Sequence, residues 1–398
     1  MSLNPFATSL FRWLNPSVTF NTPRLWGRRH WWFSLFLWIL TIAPASAALE
    51  LRVAIEEGAS RIRVGTSTNA ILRNGAGQSL GQLPSMNAQE ARLQGGRVSL
   101  AGKQAEQIWV EPNGEGLVWI GDRWYRGRTL LLPVNGGLAA VNYVDLEQYL
   151  YSVLGAEMSP NWPQEALKAQ AVAARSFALN RRQKATGRYF DVDDTIASQV
   201  YRGVKDEAPT TQAAVNATAG QVLTYNGQVI EAVFHSSSGG HTENVEDVWS
   251  TPLPYLRGVP DFDQGAPVFQ WTKDFTQEQL SRLIAGVGNV ISMTPIRKTP
   301  QGRVVSMKVV GTAGQRTISG RDLRDALGLR STLFAVIPKT GQNKSAVPTA
   351  FQVVGRGFGH GLGMSQWGAY SMAQQGYNYQ QIVLHYYRGA QLARIEVR

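Results

Sequence analysis

The chain has 398 residues, 39 Lys and Arg against 28 Asp and Glu, a formal net charge of +11, and no cysteine. The lack of thiols excludes disulfides, thiolate zinc sites and cysteine nucleophiles, and the basic balance favours polyanionic partners. No Lys/Arg block is interleaved with aromatics and no helix-turn-helix or zinc-finger spacing occurs, so nucleic acid is not an expected partner.

Residues 1–30 carry Arg12, Arg24, Arg28 and Arg29 and no acidic residue, and an apolar run from Trp31 to Ile42 leads into Ala45-Ser46-Ala47. A basic start, an apolar stretch of roughly 7–15 residues and A-x-A are the parts of a secretory signal, with cleavage placed after Ala47. The alternative is an uncleaved anchor, although the run falls short of the roughly 20 residues that span a bilayer. The protein is therefore expected to be exported, to periplasm or cell wall, and to meet a membrane only through this segment if it is retained. Cell wall and anionic membrane surfaces are the partners that suit an exported basic protein.

Beyond the leader, residues 48–129 read as a β-rich region. Leu49–Ile55 alternates as a half-buried strand does, and short runs follow at Arg61–Val64, Ile108–Val110, Leu117–Ile120 and Thr129–Leu132. Near Val144 the pattern turns helical through Asp145–Leu154. A longer helix is predicted from Pro163 to Lys184, with Pro163 at its first position and Asn161 or Trp162 as cap. Its alanines (Ala166, Ala169, Ala171, Ala173, Ala174, Ala178) make it slim enough for the centre of a domain. Gln221–Tyr225, Asn226-Gly227 and Gln228–Phe234 read as a hairpin with a type I′ turn. Thr276–Ala285 looks helical, Arg303–Val310 with Gln315–Ser319 looks like a second hairpin, and Arg321–Leu327 a short helix ended by Gly328. Phe351–Val354 is a predicted strand. Met364–Gln375 and Tyr379–Arg388 are predicted helices ended by Gly376 and Gly389. The expected class is α+β.

Four stretches could carry chemistry. Glu157 lies at a helix end before the Ser159–Pro163 turn, where Met158 and Trp162 could desolvate it and raise its pKa toward that of a general acid; an ordinary helix-end carboxylate is the alternative. In the donor-rich stretch Asp194–Gly203, Tyr201 offers a hydroxyl and a flat face to a sugar, or is a strand tyrosine. The stretch His235-Ser236-Ser237-Ser238-Gly239-Gly240-His241 is followed by Glu243 and Glu246. A zinc hydrolase using His235, His241 and a nearby Glu is conceivable, but no closed ligand spacing is present, nor is G-x-S-x-G; a capping turn is the alternative. In Gly355–Gly368 glycine alternates, yet Leu362 stands where a dinucleotide fingerprint needs Gly, so the glycines are read as allowing close backbone approach. His360, Ser365 and Gln366 would then share one place.

Taken in order, Leu146–Leu150, Ala156-Glu157-Met158, Trp162–Ser176, Ser198–Tyr201, His235–Gly240, Gly359–Gln366 and His385-Tyr386-Tyr387 resemble the SpoIID/LytB family, the stage II sporulation protein D and amidase-enhancer-like proteins. The resemblance implies a SpoIID-like catalytic domain of mixed helices and antiparallel sheet over 130–398. It also implies lytic transglycosylase activity on the glycan strands of peptidoglycan, in characterised members on strands stripped of stem peptides. It puts the catalytic glutamate on Glu157 and substrate-binding positions on Arg175, Ser198, Gln199, Tyr201, His235, Ser236, Ser237, His360, Ser365 and Gln366. Some members hold zinc through a Cys/His set; this chain lacks the cysteine half, and no metal or cofactor is expected. Other members enhance a separate amidase, so a non-catalytic wall-binding enhancer with an amidase partner is the alternative. Met158-Ser159-Pro160 departs from the family's Met-Pro, but the distance to Trp162-Pro163 is kept.

Overall fold

The computed structural model describes residues 49–195, 198–249, 251–340 and 347–395. The leader expected over residues 1–47 lies outside the described residues. Among the described residues no helix is long and apolar enough to cross a membrane.

The architecture is α+β. A seven-stranded sheet has the order 192–193, 50–59, 137–145, 128–134, 108–112, 70–74, 79–83, and a six-stranded sheet has the order 123–125, 118–120, 61–66, 89–94, 97–100, 103–105. The alternation in Glu50–Ala59 points Leu51 and Val53 inward, against Leu72, Val110, Leu131 and Val144. Strands Arg128–Val134 and Gly137–Asp145 form an antiparallel pair, so one sheet runs across residue 130. The last of them delivers the chain to the helix Leu146–Glu157, where the Asp145 side chain accepts the N–H groups of Glu147 and Gln148 as an N-cap.

The helix Gln164–Lys184 is central, as its alanines imply. Leu167, Ala171, Ala174 and Ala178 face the core of the two sheets, while Ala169, Val172, Ala173 and Phe177 face a second core with Leu223, Leu362, Met364, Ile382 and Tyr387. Pro163 is not the first helical residue. It holds the N-cap position at ψ 138°, with Ala166 and Leu167 donating to its carbonyl at 3.0 and 3.1 Å.

Two other expectations need correction. Asn226 and Gly227 adopt the positive φ of a type I′ turn, 49° and 75°, but the returning strand ends at Val229. Ala232 and Val233 donate to carbonyls only two residues back, which bends the chain. Phe234–His235 is thereby free to pair in parallel with Met364–Ser365. For the same reason Met364 is a strand residue, and the next helix begins at Gln366 with Ser365 as its N-cap.

Residues 270–356 build a third core. Two three-stranded sheets and the helices Gln277–Leu283 and Gly320–Leu327 enclose Phe275, Leu280, Val309, Leu323, Phe351 and Val353. The capping box of Thr276 with Gln279 and the left-handed Gly328 (φ 57°) close these helices where sequence places their ends.

Arg175 ties the central helix to its surroundings. Its guanidinium, 0% exposed, holds Glu147 through two bonds of 2.9 and 2.6 Å and donates to the Gln221 carbonyl at 3.0 Å. Removing one partner of a buried ion pair leaves the other uncompensated. Arg175→Ala is expected to cost about 3 kcal/mol. In a urea double-mutant cycle with Glu147→Ala the losses should be far less than additive; additive losses would show that the pair is not coupled.

Candidate active site

Glu157 is the last residue of the helix Leu146–Glu157, and Met158 turns to extended geometry (φ −132°, ψ 149°). The turn that follows is closed by the Trp162 N–H on the Ser159 carbonyl at 3.0 Å. The side chain is half-buried. The Val200 N–H donates to Oε1 at 3.3 Å and the Gln366 amide to Oε2 at 3.1 Å. Burial raises its pKa above the ordinary 4.5, while Gln366, Val200 and the field of Arg202 pull back. The negative end of its own helix adds to the upward push. None of the groups that shift it is acidic. Asp194 is another of the raised carboxyls, at about 6 through burial opposed by Arg123 and helped by Asp193, and it is not among the groups that shift Glu157.

The turn after Glu157 and the helix that starts at Gln366 meet in a half-exposed aromatic cluster. Trp162 is 4.7 Å from Trp367 and 5.0 Å from Tyr370, centroid to centroid. The Trp367 N–H donates to the Ser236 carbonyl at 3.0 Å, which joins this cluster to the His-Ser loop.

Both loop histidines are neutral. His360 Nε2 bonds the Phe234 carbonyl at 3.1 Å and its Nδ1 accepts the Leu362 N–H at 3.0 Å, which selects the Nε2–H tautomer. Burial and the field of Arg303 bring its pKa down to about 4. His235 gives its Nδ1 proton to the Leu362 carbonyl at 3.0 Å, its buried Nε2 has no partner, and burial holds its pKa well below 6.5. The two rings are 5.2 Å apart. Close approach is what the glycines allow: a Cβ on Gly359 would sit 2.7 Å from His235 Cβ, and one on Gly361 2.3 Å from the Arg303 guanidinium carbon.

Several expected substrate-binding side chains lie in the interior instead. Arg175 is spent on Glu147. Gln199, 1% exposed, bonds the Tyr149 hydroxyl and the Ala174 carbonyl. The Tyr201 hydroxyl donates to Asn142 at 2.8 Å within the sheet core. Ser198 bonds Asp193, Ser237 bonds Asp263, and Ser365 caps its helix and meets Asp261. The stretch 198–201 reaches Glu157 through the backbone of Val200, not through the flagged side chains. Only Gln366 of the expected set touches Glu157; His360 and Ser236 keep part of their surface open. For a zinc hydrolase no ligand set converges among the described residues: Glu243 is bound to Thr299 and Arg303, and Glu246 to Arg257.

Three supporting residues carried no recognisable motif. Asp261 accepts from Ser238 and Tyr386 at 2.6 Å each, and Asp263 accepts from Ser237, Gly239 and Gly240. Together they clamp the serine loop from beneath. Arg303, 1% exposed, donates to the Ser238 carbonyl at 2.6 Å and pairs with Glu243 at 3.8 Å.

A histidine whose folded pKa is depressed contributes stability above its unfolded value near 6.5, and that contribution is lost as pH falls through the folded value. For His360 the window is pH 6.5 to about 4, and the loss is about 3 kcal/mol. Urea midpoints at pH 7.5 and 4.5 should fall further in the wild type than in His360→Gln; an equal fall would show that the ring is not held neutral.

A family model described as stage II sporulation protein matches residues 134–225, and one described as a domain of unknown function matches 256–363. The chain is 37% identical over 278 residues to stage II sporulation protein D of Bacillus subtilis, covering 65% of this chain and 77% of that one. It is 35% identical over 273 residues to an uncharacterized protein of Brachyspira hyodysenteriae, covering 67% and 72%. To the amidase enhancer of Bacillus subtilis it is 31% identical over 298 residues, covering 61% and 40%. The chain belongs to the SpoIID/LytB family, that of stage II sporulation protein D and the amidase enhancer.

Proposed function

We propose that this protein is an exported lytic transglycosylase of peptidoglycan, cutting between muramic acid and glucosamine with Glu157 as its single acid and base. The observation that carries the reading is the state of Glu157: a carboxyl pushed up by burial, met by two N–H donors, with no acidic neighbour acting on it. Hydrolytic glycosidases use two carboxyl groups, about 5–5.5 or 6.5–9.5 Å apart. A lytic enzyme manages with one, because the nucleophile belongs to the sugar.

Protonated Glu157 donates to the bridging oxygen. The bond from that oxygen to C1 of muramic acid breaks and leaves oxocarbenium character on the ring. The ring's C6 hydroxyl attacks C1, and the Glu157 carboxylate takes the hydroxyl proton, which restores the acid. Attack within one ring supplies an effective molarity of about 10⁵ M or more. The Val200 N–H and Gln366 amide stabilise the transient carboxylate. Trp162, Trp367 and Tyr370 offer faces on which sugar rings stack, and neutral His360 and Ser236 supply polar contacts without adding charge. The chemistry asks for no metal.

Glu157→Gln should still bind glycan and lose about 10³ in turnover, the scale of general acid–base catalysis. Mass spectrometry of purified glycan strands incubated with the chain from Ala48 should show 1,6-anhydromuramyl ends with the wild type only. In the wild type kcat/KM should fall as pH rises through a value above 4.5, since the acid form is the active one. Unchanged release of anhydro ends by Glu157→Gln removes Glu157 from this role. Glycan binding without new ends, with activity appearing only when an amidase is added, would establish the enhancer reading that the relative's name suggests.

A further inference from the structure

Gln366 reaches Glu157 only while the first turn of its helix stays in place, and that turn rests on a buried acid. Asp261 is 4% exposed. Its Oδ2 accepts the Ser238 hydroxyl at 2.6 Å, and its Oδ1 accepts the Tyr386 hydroxyl at 2.6 Å and the Phe262 N–H at 2.8 Å. The Ser365 side chain hydrogen-bonds it as well. A carboxylate offers about four lone-pair sites, so four neutral donors saturate it. Burial and the nearby Asp263 push its pKa up, and the three hydroxyls pull it back.

Ser365 stands where the chain passes from strand to helix. Its Oγ accepts the Gly368 N–H at 3.1 Å as the N-cap of Gln366–Gln374. A hydroxyl that accepts from Gly368 still has its proton to give to Asp261. The acid also packs against the helix itself: a Cβ on Gly368 would fall 1.9 Å from Asp261 Oδ1 and 2.0 Å from the Tyr386 hydroxyl. Glycine at this position lets the first turn sit on the carboxylate, and a negative group at that end of a helix is favoured by the dipole. Gln366 is the first residue of this helix, and its amide is the donor at 3.1 Å on Glu157 Oε2.

The link from Asp261 to Glu157 runs through bonds and not through its field. Besides burial, the groups that shift Glu157 are Gln366, Val200 and Arg202, and Glu157 in turn acts on Tyr149. Asp261 is faced by Asp263 and Tyr386. The path between the two carboxyls is Ser365 and the turn that it caps.

We propose that Asp261 is a positioning residue for Glu157: through the Ser365 cap it holds the Gln366 amide on the glutamate and so sets how well the anionic form of Glu157 is stabilised. The inference rests on the reading of Glu157 as acid and base. The same carboxylate carries the serine loop through Ser238, so one buried group aligns both. The sign of the effect separates positioning from charge. Loss of a like charge would lower the Glu157 pKa, whereas loosening its donor raises it, because the Gln366 bond favours the anion.

The test follows the Glu157 carboxyl carbon by NMR titration of the substrate-free chain from Ala48, with the signal assigned by its loss in Glu157→Gln. Turnover of purified glycan strands is measured beside it. Asp261→Ala should move the titration and the falling limb of kcat/KM upward together by about one pH unit, the scale of a lost hydrogen bond to a charged group. Its kcat should fall about tenfold while KM stays within about twofold, since a donor to the transient carboxylate is weakened and no contact with the sugar is removed. Asp261→Asn, which keeps the shape and one acceptor oxygen, should recover much of the loss. Ser365→Ala should reproduce the shift and add little to Asp261→Ala, as expected of two links in one chain; it carries the test if Asp261→Ala does not fold by circular dichroism. Ser238→Ala loosens the serine loop from the same acid and should leave the titration in place. A titration that stays or moves down in the folded Asp261→Ala or in Ser365→Ala, or an equal shift in Ser238→Ala, overturns the positioning role while cleavage by Glu157 stands. The upward shift in a protein whose wild type cuts no glycan keeps the positioning role and sinks the enzyme reading.

Discussion

Everything in the site depends on how closely two cores can approach one helix. Gln164–Lys184 is buried from Ala166 to Asn180 save for the partly open Lys168, and its alanines let the sheet core and the second core close on opposite faces. Larger side chains on either face would push the layers apart. That spacing lets Glu157, at the end of the preceding helix, meet Gln366, 209 positions later, at 3.1 Å. Arg175 locks the arrangement from within the helix, since its guanidinium joins Glu147 to the Gln221 strand. The role is structural, and it explains an arginine inside a protein where arginine is rarely buried unpaired.

The second constraint is electrostatic. Around Glu157 the polar groups are mostly neutral: the Gln366 amide, a backbone N–H, His360 held below its ordinary pKa, and serines turned toward Asp261 and Asp263. Nearby full charges are largely neutralised in pairs, as with Arg303 and Glu243. A carboxyl in such surroundings can exist in either form at modest cost. Burial favours the acid and two donors favour the anion, so each half of a proton shuttle finds support. A salt-bridged glutamate would be fixed as the anion, and one without donors would be fixed as the acid.

Much of this was legible in the residues, for reasons that differ from case to case. Glu157 stood out because a helix end followed by Met-Ser-Pro-Asn-Trp-Pro fixes a carboxyl beside apolar side chains, and periodicity placed the central helix because alanine on all faces fits only a crowded interior. The roles of Arg175, Gln199 and Tyr201 were not legible, since a buried polar side chain and a ligand-facing one look alike in sequence; only the partners, Glu147, Tyr149 and Asn142, separate them. Val200 was invisible for another reason: its contribution is a backbone N–H, which every residue but proline has. Asp261 and Asp263 sit in an unremarkable Pro-Asp-Phe-Asp stretch, and their task appears only when the serine loop is seen resting on them. The hairpin after Asn226-Gly227 stops at Val229 because a parallel partner 130 residues away, Met364–Ser365, takes Phe234–His235 out of the returning strand.

The stretch from 256 to 363 is not an appendage to this site. It begins with Asp261 and Asp263, which hold the serine loop, and it ends with Gly357–Gly361, whose turn carries His360 and packs against Arg303. Between these ends the chain builds its own core, so the spacing of the two site loops is set by a unit that folds around Phe275, Leu323 and Phe351. The site is thus framed from two sides of the chain: the alanine-rich helix fixes the carboxyl and its amide partner, and the third core fixes the loops that carry Ser236 and His360.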